Sequence, residues 1–549
     1  MIKLDISKAY DSVKWDFLKQ AMEVFGFSVR YIEWIMACVS SIKYSVLVNG
    51  SLEGYFGSRR GLRQGDPISP YLFSLVMEVL SRLLDNLKRS GNFSFHPKCG
   101  RTQLNHLMFA DDVIIFSKAS PSSLVKIKEA LSTFKEWSGL IISEEKSAIY
   151  FGGCSENEES LLASLTNFSK GQLPINYLGV PLHGKRLKGV DYSMIIDKMT
   201  SKIKAWSARF LSYAGRLVLV KHVLSCIGSY WMRVLTFPKG VLKKISAICR
   251  NYLWSGAAAG KRNLVAWKEV CKPKHVGGLG IMNLSVFNRA LLLGHIWDVA
   301  QKKDSLWIKW MNNYFFKDQS IWQMVVKKHH SWGLKNILSL RDDALQCVDV
   351  AADHSMVWRS LGEPFTTKGA YVLMTAGDPS KEWAECIWNV LAHPKHSFCA
   401  WLAILDRLPT RARLRGIDPV DRRCCWCSEV VEDGAHLFFQ CRVSTHISGY
   451  LELIDIHVRW NSWDEVIAWI SSNIWSCRAQ KLVAFFIITA AIYEVWRARN
   501  KCIFEGDRAS LEGVKKLIWR MLKHKLVLIS NNKTGVICSS WCNSLLDNV

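Results

Sequence analysis

Two adjacent carboxylates interrupt an apolar run in "LMFADDVIIF", residues 107–116. Ionised side chains are seldom buried unless a partner or a metal compensates them, so Asp111 and Asp112 need a reason to be there. Neighbouring residues of a strand point to opposite faces. These two can share a site only where the chain turns, and "HLMF-ADD-VIIF" suits a hairpin with the acids at its tip. Asp5, in the alternating "IKLDIS", is a third carboxylate that strand pairing could bring to the same place. Three carboxylates at one strand end form the hard-oxygen site that Mg²⁺ prefers. Two such ions about 3.5–4 Å apart clamp the attacking and leaving oxygens of a phosphoryl transfer. A second constellation lies in "RRCCWCSEVVEDGAHLFFQCRVS", with Cys424-x₂-Cys427 followed by His436-x₄-Cys441. Three sulfurs and one imidazole satisfy tetrahedral Zn²⁺, and a closed set of four marks a structural site. Cys425 is a nearby substitute for the first thiolate.

The elements that must position these groups follow from periodicity. The opening "IKLDIS" is predicted as a strand, and "SVKWDFLKQAMEVFGF" as a helix ending near a glycine. "YSVLVNGSLEGYF" is two strands joined at Asn49-Gly50. The loop "SRRGLRQGDPISP" delivers Pro70 to the first turn of a helix, "YLFSLVMEVLSRLLDNL". A helix over about 120–137 leads to "GLIISEEKSAIYFG" and the strand-like "NYLGVPL". Residues 190–390 are mainly helical, broken by the glycine turn of "VCKPKHVGGLGIMNL", and helices resume from about 461. There is no internal repeat and no Gly/Ser linker.

Apolar content of 49% and charged content of 22% are those of a folded protein. The net charge is the unusual quantity: 72 basic against 47 acidic residues give +25. Such an excess favours a polyanionic partner, nucleic acid above all. Seventeen scattered cysteines argue against a secreted disulfide framework and for a reducing compartment. Asp5 argues against a signal peptide, and "LVAFFIITAAIY", 482–493, is too short to span a bilayer and is predicted as a core helix.

"LDISKAYDSVKW", "RRGLRQGDPISPYLFSLVME", "LMFADDVIIF", "GLIISEEKS" and "YLGVPL" occur in the order of the reverse transcriptase palm. Over about residues 1–290 the chain resembles the polymerases of LINE-type, non-LTR retrotransposons of plants. "IWNVLAHPKHSFCAWLAILDRLPTRARL" with the cysteine cluster resembles the reverse transcriptase zinc-binding domain. The fold implied is α+β: a palm of antiparallel sheet with packed helices over 1–185, a helical thumb or connection over 186–364, the zinc-binding domain over 365–450 and a helical region over 451–549. The resemblance implies that Asp5, Asp111 and Asp112 hold two catalytic Mg²⁺ ions, while Asp11 serves either a structural, capping or metal role. It places Tyr10 as a gate against the ribose 2′-hydroxyl and Arg63, Gln64 and Gly65 against nucleotide and template, with Arg60 near phosphate. Lys146 corresponds to a lysine that protonates the departing pyrophosphate, although the family often has asparagine where Ser143 stands. Tyr177, Leu178 and Gly179 correspond to the strand pair that steadies the primer end. Zn²⁺ falls to Cys424, Cys427, His436 and Cys441. The arginines of "RLPTRARLRG" and "DRRCCW" would grip template phosphates.

In the family a fingers subdomain precedes the first motif, whereas this chain starts four residues before Asp5. The expectation is therefore an RNA-directed DNA polymerase whose activity is weakened or lost. The alternative is a catalytically dead remnant that keeps a zinc fold and binds nucleic acid, and an interaction protein is a third. Partners implied are an RNA template, a DNA primer or target and deoxynucleoside triphosphates, with no membrane and with action inside the cell, in the nucleus or alternatively the cytoplasm.

Overall fold

The structure is a computed structural model, described over residues 1–549 apart from 90, 207–210, 261–262, 318, 329, 351–355, 360–363, 415–421, 443, 446–457, 473–477, 507–510 and 531–549. Arg415 of the basic run, and parts of the regions 365–450 and 451–549, lie outside the described residues. The chain divides into two compact units. One is chiefly Met1–Leu187 with Trp297–Lys335, and the other is chiefly Lys188–Ile296, Asn336–Val350 and the chain from Val357.

In the first unit, strands β1 (Ile2–Leu4), β2 (Ile6–Ser7), β3 (Lys43–Val48), β4 (Ser51–Gly57), β5 (His106–Phe109), β6 (Asp112–Ile115), β7 (Ile141–Ile142), β8 (Ala148–Ile149) and β9 (Ser169–Lys170) are followed by β10 (Ile175–Tyr177) and β11 (Val180–Leu182). The central sheet runs β5-β6-β1-β8-β9. It is antiparallel except for its last pair, β8 with β9, which is parallel. Ile2, Leu4, Val113 and Ile115 are nearly inaccessible on the core face. Two helices cover that core, α4 (Ser69–Asn86) through Phe73, Val76 and Leu80, and α5 (Pro121–Ser138) through Leu124, Ile127 and Phe134. Ser120 caps α5 at its start, and Pro121 occupies the first turn, where a missing N–H costs nothing. The chain between the two acidic segments is thus long because it must build the helix that buries the sheet.

The segment Trp297–Lys335 belongs to this unit through specific contacts. Trp310 Nε1 donates to the Lys98 carbonyl at 2.7 Å, and the Arg101 amide donates to the Tyr314 hydroxyl at 2.8 Å. Leu306, Trp307 and Trp310 also wall a largely apolar cavity of about 1,100 Å³ at the Met1 end of β1, with Leu107 and Phe116. The predicted thumb region 186–364 is therefore shared between the two units.

The second unit is mostly helical. Its centre is the helix Arg478–Phe504, whose Val483–Ile488 stretch is almost wholly inaccessible. That accounts for "LVAFFIITAAIY" as core. No helix among the described residues is long and apolar enough to cross a membrane. The helices Pro394–Ile404 and Leu511–Ser530 pack on it.

Candidate functional site

The register of the central sheet decides where the carboxylates go. Leu4 pairs with Val113 and Lys3 with Ile114. One step further along the same ladder come Asp5 and Asp112, on the face opposite the buried Leu4 and Val113. Lys3 shares that face, and its Nζ lies 3.9 Å from Asp112 Oδ1. The predicted hairpin is present: Phe109 pairs with Asp112, leaving Ala110 and Asp111 as a two-residue turn. Ala110 has φ 53°, a left-handed conformation that costs a non-glycine residue about 1 kcal/mol. Asp111 is exposed at the tip, whereas Asp5 and Asp112 are half-buried. The side-chain oxygens are not drawn into one tight shell. Among the described residues the group whose ligand atoms all lie within 4.8 Å of one another is the cysteine and histidine set.

Asp5 is clamped from its other side. Its carbonyl accepts from the Ser143 amide at 2.8 Å, and its amide donates to Ser147 Oγ at 3.1 Å. These serines bracket the exposed turn that carries Lys146, so that turn is fastened to the Asp5 backbone. Lys3 Nζ also donates to the Asn176 carbonyl at 2.8 Å. One ammonium thus ties the β10–β11 hairpin to the carboxylate face. That hairpin turns at Leu178 (φ 49°) and Gly179 (φ 74°), and Tyr177 pairs with Val180. Two positive φ values suit the right-handed twist of the strands.

Tyr10 lies in the short helix α1 (Ala9–Ser12) and stacks on Phe73 of α4, with ring centroids 4.7 Å apart. The arginine-rich loop is laced to the same helix. Leu62 donates to the Tyr10 carbonyl at 2.7 Å, Gly61 donates to the Val13 carbonyl, and Trp15 Nε1 donates to the Gly61 carbonyl. Gly61 has φ +94°, and a Cβ there would stand 2.7 Å from the Asp11 carbonyl oxygen. Arg60, Arg63, Gln64 and Gly65 are all exposed on this tethered loop. Asp11 takes part through its backbone, which packs against Gly61.

In the second unit, Cys424, Cys427, His436 and Cys441 converge. Cys424 Sγ lies 3.8 Å from Cys441 Sγ, and Cys427 Sγ lies 3.4 Å from His436 Nε2. A tetrahedral ion with Zn–S near 2.3 Å and Zn–N near 2.0–2.1 Å requires edges of about 3.8 Å (S···S) and about 3.5 Å (S···N), so the donor set fits zinc. The fold supplies this with a tight knuckle: Ser428 donates to the Cys424 carbonyl and takes φ 60°, while the Cys424 amide bonds the Val430 carbonyl. His436 begins a wide helical turn over His436–Gln440, closed by the Cys441 amide on the His436 carbonyl at 2.8 Å. The choice between Cys424 and Cys425 falls on Cys424, whose Sγ belongs to the set of ligand atoms within 4.8 Å of one another.

A family model described as reverse transcriptase (RNA-dependent DNA polymerase) matches residues 1–182, and one described as zinc-binding in reverse transcriptase matches residues 365–447. The chain carries a reverse transcriptase domain. A protein of Arabidopsis thaliana named for ribonuclease H is 36% identical over 129 residues, covering 23% of this chain and 21% of its own length. The Pol polyprotein of a type-1 retrotransposable element in Popillia japonica is 29% identical over 152 residues, 27% of this chain and 23% of its own. A transposon protein of Xenopus laevis is 25% identical over 287 residues, 51% of this chain and 21% of its own. The chain therefore aligns with about a fifth of the length of these relatives. The reverse transcriptase domain and its zinc-binding companion occupy the palm-like sheet and the cysteine knuckle.

Sequence reasoning passed over three residues. Lys3 bridges the hairpin and Asp112, a role visible only once register puts it two residues from Asp5 on one face. Glu432 and Arg499 form a fully buried bidentate pair, Arg499 Nε to Glu432 Oε1 at 3.0 Å and to Oε2 at 3.1 Å. An acid four residues before a zinc ligand was the available signal. Glu432 also accepts from the Arg411 amide, so the pair fastens the zinc knuckle and the 411–413 turn to the central helix.

Proposed function

We propose that the chain is the polymerase portion of a LINE-type, non-LTR retrotransposon reverse transcriptase of the plant kind, adding deoxynucleotides to a primer 3′ end on an RNA template. The observation that carries this reading is the register of Leu4 on Val113, which sets Asp5 and Asp112 on one face with Asp111 at the adjoining hairpin tip. Asp5, Asp111 and Asp112 would hold the catalytic Mg²⁺ ions, a choice supported by their hard-oxygen donors. When bound, magnesium lowers the barrier by polarising the attacking hydroxyl and the departing pyrophosphate. Lys146, on the turn fastened to the Asp5 backbone, gives its proton to the leaving group. Tyr10, pinned by Phe73, bounds the sugar pocket, and Arg63, Gln64 and Gly65 on the tethered loop face base and phosphate. Tyr177, Leu178 and Gly179 steady the primer end, with their hairpin fixed to the carboxylate face through Lys3. Four ligands hold a structural Zn²⁺. The template is RNA, the primer is target DNA, the substrates are deoxynucleoside triphosphates, and the place of action is the nucleus.

Primer extension on an RNA template with Mg²⁺ tests the assignment. A metal carboxylate is worth several kcal/mol in such a transition state, so Asp111→Asn is expected to lower incorporation at least about 100-fold. Incorporation that the substitution leaves untouched would remove the metal assignment. A second reading, a zinc-containing nucleic-acid-binding protein without catalysis, draws support from Lys3, whose ammonium already sits against Asp112. It predicts oligonucleotide binding with no extension by the parent chain.

A further inference from the structure

Along the helix Arg478–Phe504 runs a trough that the polymerase reading does not use. A cavity of about 720 Å³ and a neighbouring one of about 340 Å³ share Tyr493, Trp496, Asn500 and Phe504 in their walls. Volumes of this order suit a bound small molecule or a single chemical unit of a larger one. Opposite the helix, the larger cavity is walled by Tyr213 and Arg216 and by Lys395. Aromatic rings and cations stand there among aliphatic side chains such as Leu264, Leu402 and Leu408. Arg216 lies 4.8 Å from the ring centre of Tyr213, and Lys395 Nζ lies 5.1 Å from that of Tyr493. Neither cation forms an ion pair among the described residues; Arg216 spends Nε and Nη1 on the Leu211 and Leu253 carbonyls, at 3.1 and 3.3 Å, and keeps its charge uncompensated. Phe504 is 78% exposed at the mouth, a large apolar ring left in water. Tyr493 is braced from behind by the buried His396, with ring centres 4.6 Å apart. The carboxylates at hand are spoken for or peripheral: Glu494 is nearly inaccessible and paired with Arg497, and Glu505 stands at the rim of the smaller cavity.

We propose that this trough binds single-stranded nucleic acid, receiving an unstacked base against Trp496 and Phe504 and its phosphate against Arg216 and Lys395. Flat rings accept any base by stacking, and cations beside them track the backbone, which is how strands are held without sequence preference. A duplex, whose bases are already stacked, gains only the phosphate contacts. The chain's net charge of +25 favours the same ligand class. The inference rests on the polymerase reading only for the source of the strand, an RNA template or a displaced DNA strand.

The test uses the full zinc-loaded chain, a fluorescein-labelled single-stranded oligonucleotide and its duplex, read by anisotropy. Phe504→Ser removes a ring that supports no core, so folding is preserved, and it is expected to weaken single-strand binding about 5- to 100-fold while sparing the duplex. Lys395→Gln is expected to reduce the slope of log affinity on log salt by about one phosphate contact. In the parent chain, an iodouridine-substituted strand should cross-link to Tyr493, Trp496 or Phe504. Unchanged affinity in both variants, equal losses on duplex and single strand, cross-links confined elsewhere, or displacement of the strand by an acidic peptide at equal charge would each overturn the proposal. Primer extension by the same samples separates the two claims. Extension with an indifferent trough sinks this site alone, and trough-dependent binding without extension sinks the polymerase reading alone.

Discussion

His396 shows how much a single buried residue can ask of its surroundings. It is inaccessible, neither ring nitrogen has a hydrogen-bond partner among the described residues, and burial lowers its pKa to about 3, with His393, Lys395 and Lys525 adding positive charge nearby. The folded chain therefore refuses a proton that the unfolded chain accepts below its ordinary value of about 6.5. Stability present above pH 6.5 is lost as the pH falls toward 3, by up to about 1.4 kcal/mol per pH unit. His396→Phe is expected to flatten that dependence in urea titrations run between pH 4 and 7. A slope unchanged by the substitution would place the acid sensitivity elsewhere. Glu432 makes the opposite case, a buried charge fully matched. Glu432→Gln leaves the Arg499 guanidinium without its counter-charge and should cost about 3–5 kcal/mol by denaturant unfolding. Zinc stoichiometry gives a third check: about one ion per chain is expected, and Cys427→Ser with Cys441→Ser should abolish it. A folded, metal-free double variant would refute the structural role.

Elements were legible in proportion to how local their signals are. The Asn49-Gly50 hairpin and the hairpin that carries the acids of β5–β6 announce themselves through turn residues or alternation, whereas "NYLGVPL" reads only as strand-like and its turn at Leu178-Gly179 does not show. Pairing at a distance was legible only where chemistry demanded it: the carboxylates called for β1 beside the β5–β6 hairpin, but not for β8 on its other side or for the lacing of the Gly61 loop to α1. Such contacts depend on backbone amides, which every residue carries alike. Gly61→Ala tests the lacing. It meets the Asp11 carbonyl in a left-handed conformation, so it should destabilise the first unit by more than about 1 kcal/mol and shift the loop that bears Arg63 and Gln64. The β3–β4 hairpin raises a different expectation. All of its residues are exposed, among them Leu47, Leu52 and Tyr55 at 67%, 74% and 79%. Replacing Leu47 and Leu52 with lysine should reduce self-association in light scattering without altering the melting of the rest.

At the scale of the molecule, the units are not contiguous in sequence. The first recruits Trp297–Lys335, and Leu306, Trp307 and Trp310 close one side of its apolar cavity. A fragment ending at residue 187 should therefore melt lower and bind more of a hydrophobic dye than the same residues within the full chain. That dependence escaped periodicity altogether, since nothing in the helix 306–311 names its neighbour. The pairing of β1 with β6 has a further consequence. Side chains alternate along a strand, so one extra residue inserted between Leu4 and Asp5 would rotate Asp5 toward the face that now receives Leu4. From Asp5 onward every motif would still be spelled correctly, yet the acid would be aimed into the hydrocarbon beneath the sheet. Spelling and spacing are thus separate inheritances, and a copy of this chain can keep the first while losing the second.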